Sequence, residues 1–229
     1  NHLNGEPTWE PETFNTFDTW LPKHTHYIGF GTWIGVTLFY AAQNVKYAYG
    51  FDGDPSAFAQ LERNLQWNSN SLWGKKCKIL PTAVIEGSTS KRQMINMKSA
   101  GAGNSCSGIK DVACGKVTTH WKVQGFTLPY LMKYYSIPEN SSTFVKIDVE
   151  SYECELLPSW FQWLSQLDNK PTLRVSLHGP NVRMCTKEQY AVIDNIAGLY
   201  NDIYINNEQR QDIKTSWFSK DDILLTDNK

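Results

Sequence analysis

The chain has no apolar run near the roughly 18 residues that a membrane-crossing helix needs. It has no excess of charge of either sign: 229 residues carry 22 basic and 23 acidic side chains, a net charge of -1. That balance gives no electrostatic case for nucleic acid or an anionic membrane as a partner. No internal repeat and no low-complexity tract interrupts the chain. Cysteine is scarce. Cys77, Cys106, Cys114, Cys154 and Cys185 form an odd set with no C-x-x-C pair. Their number and spacing favour reduced thiols in a cytosolic setting over a disulfide framework or a zinc site. On that reading the sequon Asn140-Ser141-Ser142 is a chance match. The opening residues Asn1-His2-Leu3-Asn4-Gly5 hold neither an initiator methionine nor a signal-peptide core, so the expectation is a domain excised from a longer protein.

What is present is ordinary globular composition, 41% hydrophobic and 20% charged, enough for one buried core spanning residues 1–229. The organising stretch is Tyr27-Ile28-Gly29-Phe30-Gly31-Thr32-Trp33-Ile34-Gly35. It reads as a strand running into a glycine turn that opens a helix. Glycines at 29, 31 and 35 let backbone approach a ligand, since no Cβ intervenes. The first amides of the following helix suit an anion. The next strand, Lys46 to Phe51, ends on Asp52, which is placed to accept hydrogen bonds from both hydroxyls of a ribose. The spacing Gly-x-Gly-x-x-x-Gly differs from the dinucleotide fingerprint. It favours a smaller anion than a pyrophosphate, such as the carboxylate of S-adenosylmethionine.

Residues 1–22 read as an N-terminal packing arm, with Phe14, Phe17, Trp20 and Leu21 on one helical face and Trp9-Glu10 overhanging a cleft. Asp54-Pro55 is a helix start, Asp as N-cap and Pro at the first helical position. Lys78–Val84 reads as a third strand. Residues 86–115 lack periodicity and read as an irregular insertion or lid. Strands follow at 115–123, with Val117, Thr119, Trp121 and Val123 on one side, and at Thr143–Glu150. Thr127 is the expected cap of a short helix. Pro158 should disturb or split a helix over 152–167. Thr172–His178 is a strand, Thr186 caps a helix to Gly198, and 202–205 with 222–226 suit an antiparallel pair at one edge. The order of strands and helices predicts an α/β fold: an open, mostly parallel sheet with helices on both faces.

In such sheets ligands bind at the carboxyl ends of the strands. The glycine turn, Asp52, Asp148 with Glu150, and His178 all fall there. Asp148 either caps the next helix or faces a transferred group. Glu150, two residues on, points the same way if the strand persists. His178 could accept a proton from an attacking hydroxyl, its ordinary pKa being about 6.5. Asp148 and His178 could also share a divalent cation, magnesium or manganese, that orients a sugar hydroxyl.

Gly29 to Gly35, Gly50 to Pro55, Pro81-Thr82-Ala83-Val84 and above all Val145-Lys146-Ile147-Asp148-Val149-Glu150-Ser151-Tyr152-Glu153 resemble the FkbM-type O-methyltransferases. Trp9-Glu10-Pro11 and Leu177-His178 are similar to further landmarks of that family. The resemblance covers roughly residues 9–180 and departs from the pattern at Gly29, Trp33, Ser151 and Ser176. It implies a Rossmann-like methyltransferase fold with a seven-stranded, mostly parallel sheet. It also implies S-adenosylmethionine as cofactor, held by Gly29, Gly31, Thr32, Trp33, Gly35, Asp52, Thr82, Ala83 and Glu10. His178, Asp148 and Glu150 would serve the chemistry. The flavour is similar to glycan-modifying domains of algae and large algal viruses, where such a domain can follow covalently linked glycosyltransferase domains. That implies a glycan acceptor, a deoxyhexose such as rhamnose, and a cytoplasmic site of action, the host cytoplasm for a viral protein. Two other readings stay open: a nicotinamide-dependent oxidoreductase, and a non-catalytic glycan-binding module on a degenerate fold.

Overall fold

The computed structural model describes residues 10–101, 107–109, 116–150, 152–176, 185–210 and 222–227. In chain order the first half runs α1 (Pro11–Trp20), β1 (His26–Phe30), α2 (Val36–Asn44), β2 (Tyr47–Asp52), α3 (Pro55–Trp67), β3 (Cys77–Pro81), β4 (Ala83–Val84), β5 (Arg92–Ser99) and β6 (Ser107–Gly108). The second half runs β7 (Thr119–Phe126), α4 (Leu128–Tyr135), β8 (Thr143–Ile147), α5 (Glu153–Leu164), β9 (Thr172–Ser176), α6 (Lys187–Ala197), β10 (Asp202–Ile205), β11 (Glu208–Arg210) and β12 (Asp222–Thr226). Among the described residues no helix is long and apolar enough to cross a membrane.

The main sheet has eight strands in the order β11-β10-β12-β9-β8-β1-β2-β3. The run from β9 to β3 is parallel throughout. β12, β10 and β11 then alternate in direction. The expected seven strands become eight because Glu208–Arg210 adds an outer strand. Its three side chains are all exposed and carry no apolar signal, which suits an edge that must not pair further.

Alternation on β8 shows how the layers form. Phe144 joins Phe17, Leu21, Tyr27, Leu38 and Leu61 on the α1–α3 side. Val145 and Ile147 join Leu131, Leu156, Trp160, Ile193 and Ile196 on the α4–α6 side. Successive strand residues face opposite ways, so a strand apolar on both faces needs helices on both. The N-terminal arm packs as its sequence suggests, with Phe14, Phe17, Trp20 and Leu21 all buried.

Three local expectations are corrected, wholly or in part. Residues 86–115 are not irregular throughout: β5 pairs antiparallel with β7 along its length, and β6 pairs with β5. With β4 they make a second sheet, β4-β7-β5-β6. Gln93, Ile95, Met97 and Ser99 alternate inward against exposed Arg92, Met94 and Asn96. Thr127 stands at the N-cap of α4 as expected, but its side chain does not bond the first turn. Its hydroxyl donates to the Thr89 carbonyl at 2.8 Å and accepts the Lys91 amide at 3.0 Å. Pro158 does not split α5. The ring forfeits one bond to the Cys154 carbonyl, but Leu156, Leu157 and Trp160 around it are fully packed.

The cysteine expectation also fails at one pair. Cys154, in the first turn of α5, is joined to Cys185, just before α6, with Cα atoms 5.2 Å apart. The packing of α5 on α6 creates this contact, and sequence spacing gives no hint of it. Cys77 is a free thiol, and Cys106 and Cys114 lie outside the described residues. A cross-link over 31 residues of separation contributes about 3–4 kcal/mol in the chain-entropy account. Reduction, or Cys185→Ser, is therefore expected to lower the melting temperature on the order of 10 °C. An unchanged melting curve under reducing agent would show that the tether carries no stability.

Candidate functional site

A cavity of about 230 Å3 opens at the carboxyl ends of β1, β2 and β8, beside the place where the sheet order reverses between β1 and β8. Its wall includes Glu10, Gly31, Thr32, Trp33, Asp52, Thr82, Ala83, Asp148 and Glu150. Nine of the residues singled out from the sequence thus share one hollow.

Gly31 sits at φ 70°, and a Cβ there would lie 1.7 Å from the Asp148 carbonyl oxygen. The turn after β1 therefore touches the end of β8 backbone to backbone, which only glycine permits. Asp52 joins this turn to the next one. One carboxylate oxygen accepts the Trp33 amide at 2.7 Å and the other accepts the Asp54 amide at 2.8 Å. Asp54 in turn caps α3, accepting from Ser56 and Ala57 at 2.7 and 3.0 Å. Burial pushes the Asp52 carboxyl up to about 7, against the two backbone N–H bonds that lower it, while the charges of Asp54 and Asp148 add to the rise. A carboxylate has about four acceptor positions, so two remain for a ligand.

The glycine turn opens a helix as expected: Gly35 is the N-cap and α2 begins at Val36. The amides of Gly31 and Thr32 bond the Phe51 carbonyl at 3.0 and 3.4 Å, and Gly35 bonds the Thr32 carbonyl at 2.8 Å. With Trp33 held by Asp52, those four amides are engaged. Donors left for an anion include the first-turn amides of α2, from Val36 to Leu38; Val36 and Thr37 line the cavity. Thr32 is buried, and its hydroxyl oxygen has no partner among the described residues. It lines the same wall.

Gly29 and Gly35 do not line the cavity. Gly29 lies within β1 against Tyr27 and Thr32, and Gly35, at φ 100°, starts α2 where a Cβ would strike Leu61 and Phe39. Both permit close packing. His178 and Trp9 lie outside the described residues. Among the described residues no group of three or more His, Cys, Asp or Glu could hold a metal.

β8 ends at Ile147, so Asp148 and Glu150 stand on the turn beyond it. Asp148 forms an ion pair with Lys146, whose side chain is only 2% exposed. Glu150 is at φ 52°, and Glu10 and Trp33 are at 47° and 48°. Three left-handed non-glycine residues around one hollow mark backbone held against its preference, a pattern that clusters at functional sites. Glu153 accepts the Val149 amide at 2.9 Å, which holds this turn in shape.

Several site features escaped the sequence reading. Lys146 belongs to the Val145–Glu153 motif, but no role follows for it from the sequence. β5, β6 and the residue after β6 supply Met97, Ser107, Gly108 and Ile109 to the wall, and of the second sheet only β4 and β7 overlap strands expected from the sequence. This sheet is fastened to the β2 turn: Trp121 Nε1 donates to the Gly53 carbonyl at 2.7 Å, and the Ser107 hydroxyl donates to Asp54.

Gly31→Ala is expected to disrupt this site. Its Cβ must displace the Asp148 backbone, so ligand binding should fall beyond detection by calorimetry. Gly101→Ala is the control, since nothing lies within 4 Å of a Cβ there. Equal binding by both variants would contradict the described contact.

No protein-family model matches the chain, and no curated protein matches it. Solved structures do. Methyltransferase FkbM from Methylobacillus flagellatus KT superposes with a TM-score of 0.51 at 12% identity, over 89% of this chain and 44% of that one. The present chain thus spans less than half of that protein. The methyltransferase domain of bacterial CtHen1-CN superposes with a TM-score of 0.51 at 13% identity, over 94% of this chain and 97% of that one. At such identities the likeness concerns the fold alone, and the fold is the Rossmann-like methyltransferase fold.

Proposed function

We propose that the domain transfers a methyl group from S-adenosylmethionine to a hydroxyl oxygen, and that the acceptor is a sugar of a glycan, a deoxyhexose such as rhamnose. The observation that carries the reading is the shared cavity. The Gly31 turn, Asp52, Asp148 and Glu150 all line it. The sugar part rests on the resemblance of Val145–Glu153 to the FkbM-type motif.

The residues present fit this cofactor. The Thr32 hydroxyl and the first-turn amides of α2 suit the methionine carboxylate. The two remaining acceptor positions of Asp52 suit the ribose hydroxyls. Thr82, Ala83 and the apolar Val84 and Ile109 suit the adenine. When bound, the cofactor supplies an electrophilic methyl on a sulfonium. The protein's task is then to hold the acceptor oxygen in line, about 3 Å away, and positioning of that kind lowers the barrier strongly. Lys146 fixes the Asp148 carboxylate by their ion pair, and the bend at Glu150 turns a second acid to the same wall. Asp148 or Glu150 takes the acceptor proton, with His178 as the third candidate.

Calorimetry with S-adenosylhomocysteine tests the reading. Saturation at 100 times the dissociation constant should add about 2.7 kcal/mol of stability, and Asp52→Ala should abolish binding. Binding of NADH instead would favour an oxidoreductase, and binding of glycan with no cofactor would favour a non-catalytic module. The pH dependence has a defined sign. Asp52 is protonated below about 7, and a protonated carboxyl accepts fewer hydrogen bonds. Affinity should therefore be about tenfold weaker at pH 6 than at pH 8, and Asp52→Asn should flatten the profile. Glu150→Gln should lower turnover while cofactor affinity holds; undiminished turnover removes Glu150 from the proton transfer.

A further inference from the structure

We propose that this chain folds in an oxidising compartment and that Asn140 is an N-glycosylation site. The proposal does not depend on the methyl-transfer reading. Its first support is the Cys154–Cys185 disulfide, since such bonds form and persist where thiols are not kept reduced. Once that bond is present, chance is no longer the default explanation for the sequon Asn140-Ser141-Ser142. Asn-x-Ser in a secreted chain is an acceptor sequence.

The second support is the setting of the sequon. Asn140 is exposed, in the turn between α4 and β8. The Ser142 amide donates to Asn140 Oδ1 at 2.9 Å, and the Thr143 amide donates to the Asn140 carbonyl at 3.0 Å. The turn is anchored from the other side, because the amides of Thr25 and His26 donate to the Ser142 carbonyl at 2.9 and 3.1 Å. Asn140 Nδ2 has no partner among the described residues. The sequon precedes β8, whereas the cavity lies beyond its far end. Five residues of strand separate them, roughly 16 Å at 3.3 Å per residue. A glycan on Asn140 therefore leaves the cavity open.

The third support is Cys77. A free thiol endangers a disulfide in an oxidising compartment if it ionises. The Cys77 thiol is pushed up to about 12 by burial, with Lys76 opposing, and its Sγ donates to the Trp73 carbonyl at 3.5 Å. The thiolate that would attack a disulfide is thus suppressed.

The modifying reagent is an oligosaccharide linked to a lipid diphosphate. A bond forms between Asn140 Nδ2 and the anomeric carbon of the first sugar. The bond from that carbon to the diphosphate oxygen breaks, the diphosphate leaves with the electron pair, and the amide nitrogen loses one proton.

The test expresses the full chain behind a cleavable secretion signal in cultured eukaryotic cells. Intact mass is measured before and after peptide N-glycosidase, together with a non-reducing peptide map. One N-glycan is expected on the wild-type chain and on Ser142→Thr, and none on Asn140→Gln or Ser142→Ala. The map should show Cys154 joined to Cys185, with Cys77 alkylated only after denaturation. A secreted, folded chain with bare Asn140 in both wild type and Ser142→Thr overturns the glycosylation site. Native-state alkylation of Cys154 and Cys185 overturns the compartment.

Discussion

The carboxylate of Asp52 ties together the two turns that make the cavity. It accepts one amide from the turn after β1 and one from the turn after β2. Hydrogen bonds to a charged acceptor contribute about 1.5–3 kcal/mol each, yet burial outweighs them and lifts the group to about 7. Against the ordinary value of 3.8 this amounts to roughly 4 kcal/mol disfavouring the charged form. Asp52 is thus held ready for further donors. A ligand that brings two hydroxyls would offset the penalty, and an apolar group would not, which supports the proposed ribose contact.

The second constraint is the contact of Gly31 with the Asp148 carbonyl. It brings the ends of β1 and β8 together with no side chain between them. Because β1 and β8 are adjacent while their following helices pack on opposite faces, a gap opens between the two crossovers. The second sheet then covers one flank, fixed by Trp121 and Ser107 to the Gly53–Asp54 turn. Any ligand that enters must fit between this flank and the Asp148–Glu150 turn.

Much of this was legible in the sequence because its causes are local. The strand, glycine turn, helix and acid follow one another within residues 27–52. The Asp54-Pro55 cap and the Thr186–Gln189 capping box are written in neighbouring residues. Asp148 stands out as the first acid after a fully buried strand. What escaped depends on distant partners. β5 exposes Met94 and Asn96, and its pairing partner begins at Thr119, so its weak alternation says nothing until β7 is in place. The Cys154–Cys185 bond depends on how α5 meets α6. α2 waits until Val36 because Asp52 and Phe51 capture the amides of the preceding glycine turn.

The central claim is that the hollow bounded by the Gly31 turn, Asp52 and Asp148 receives the methyl donor. Amide hydrogen exchange with and without S-adenosylhomocysteine reads that directly. The account predicts slowed exchange in peptides covering Gly31–Leu38, Gly53–Asp54 and Asp148–Glu150, with β10–β12 unchanged. Slowed exchange confined to other parts of the chain, or none at saturating ligand, contradicts it.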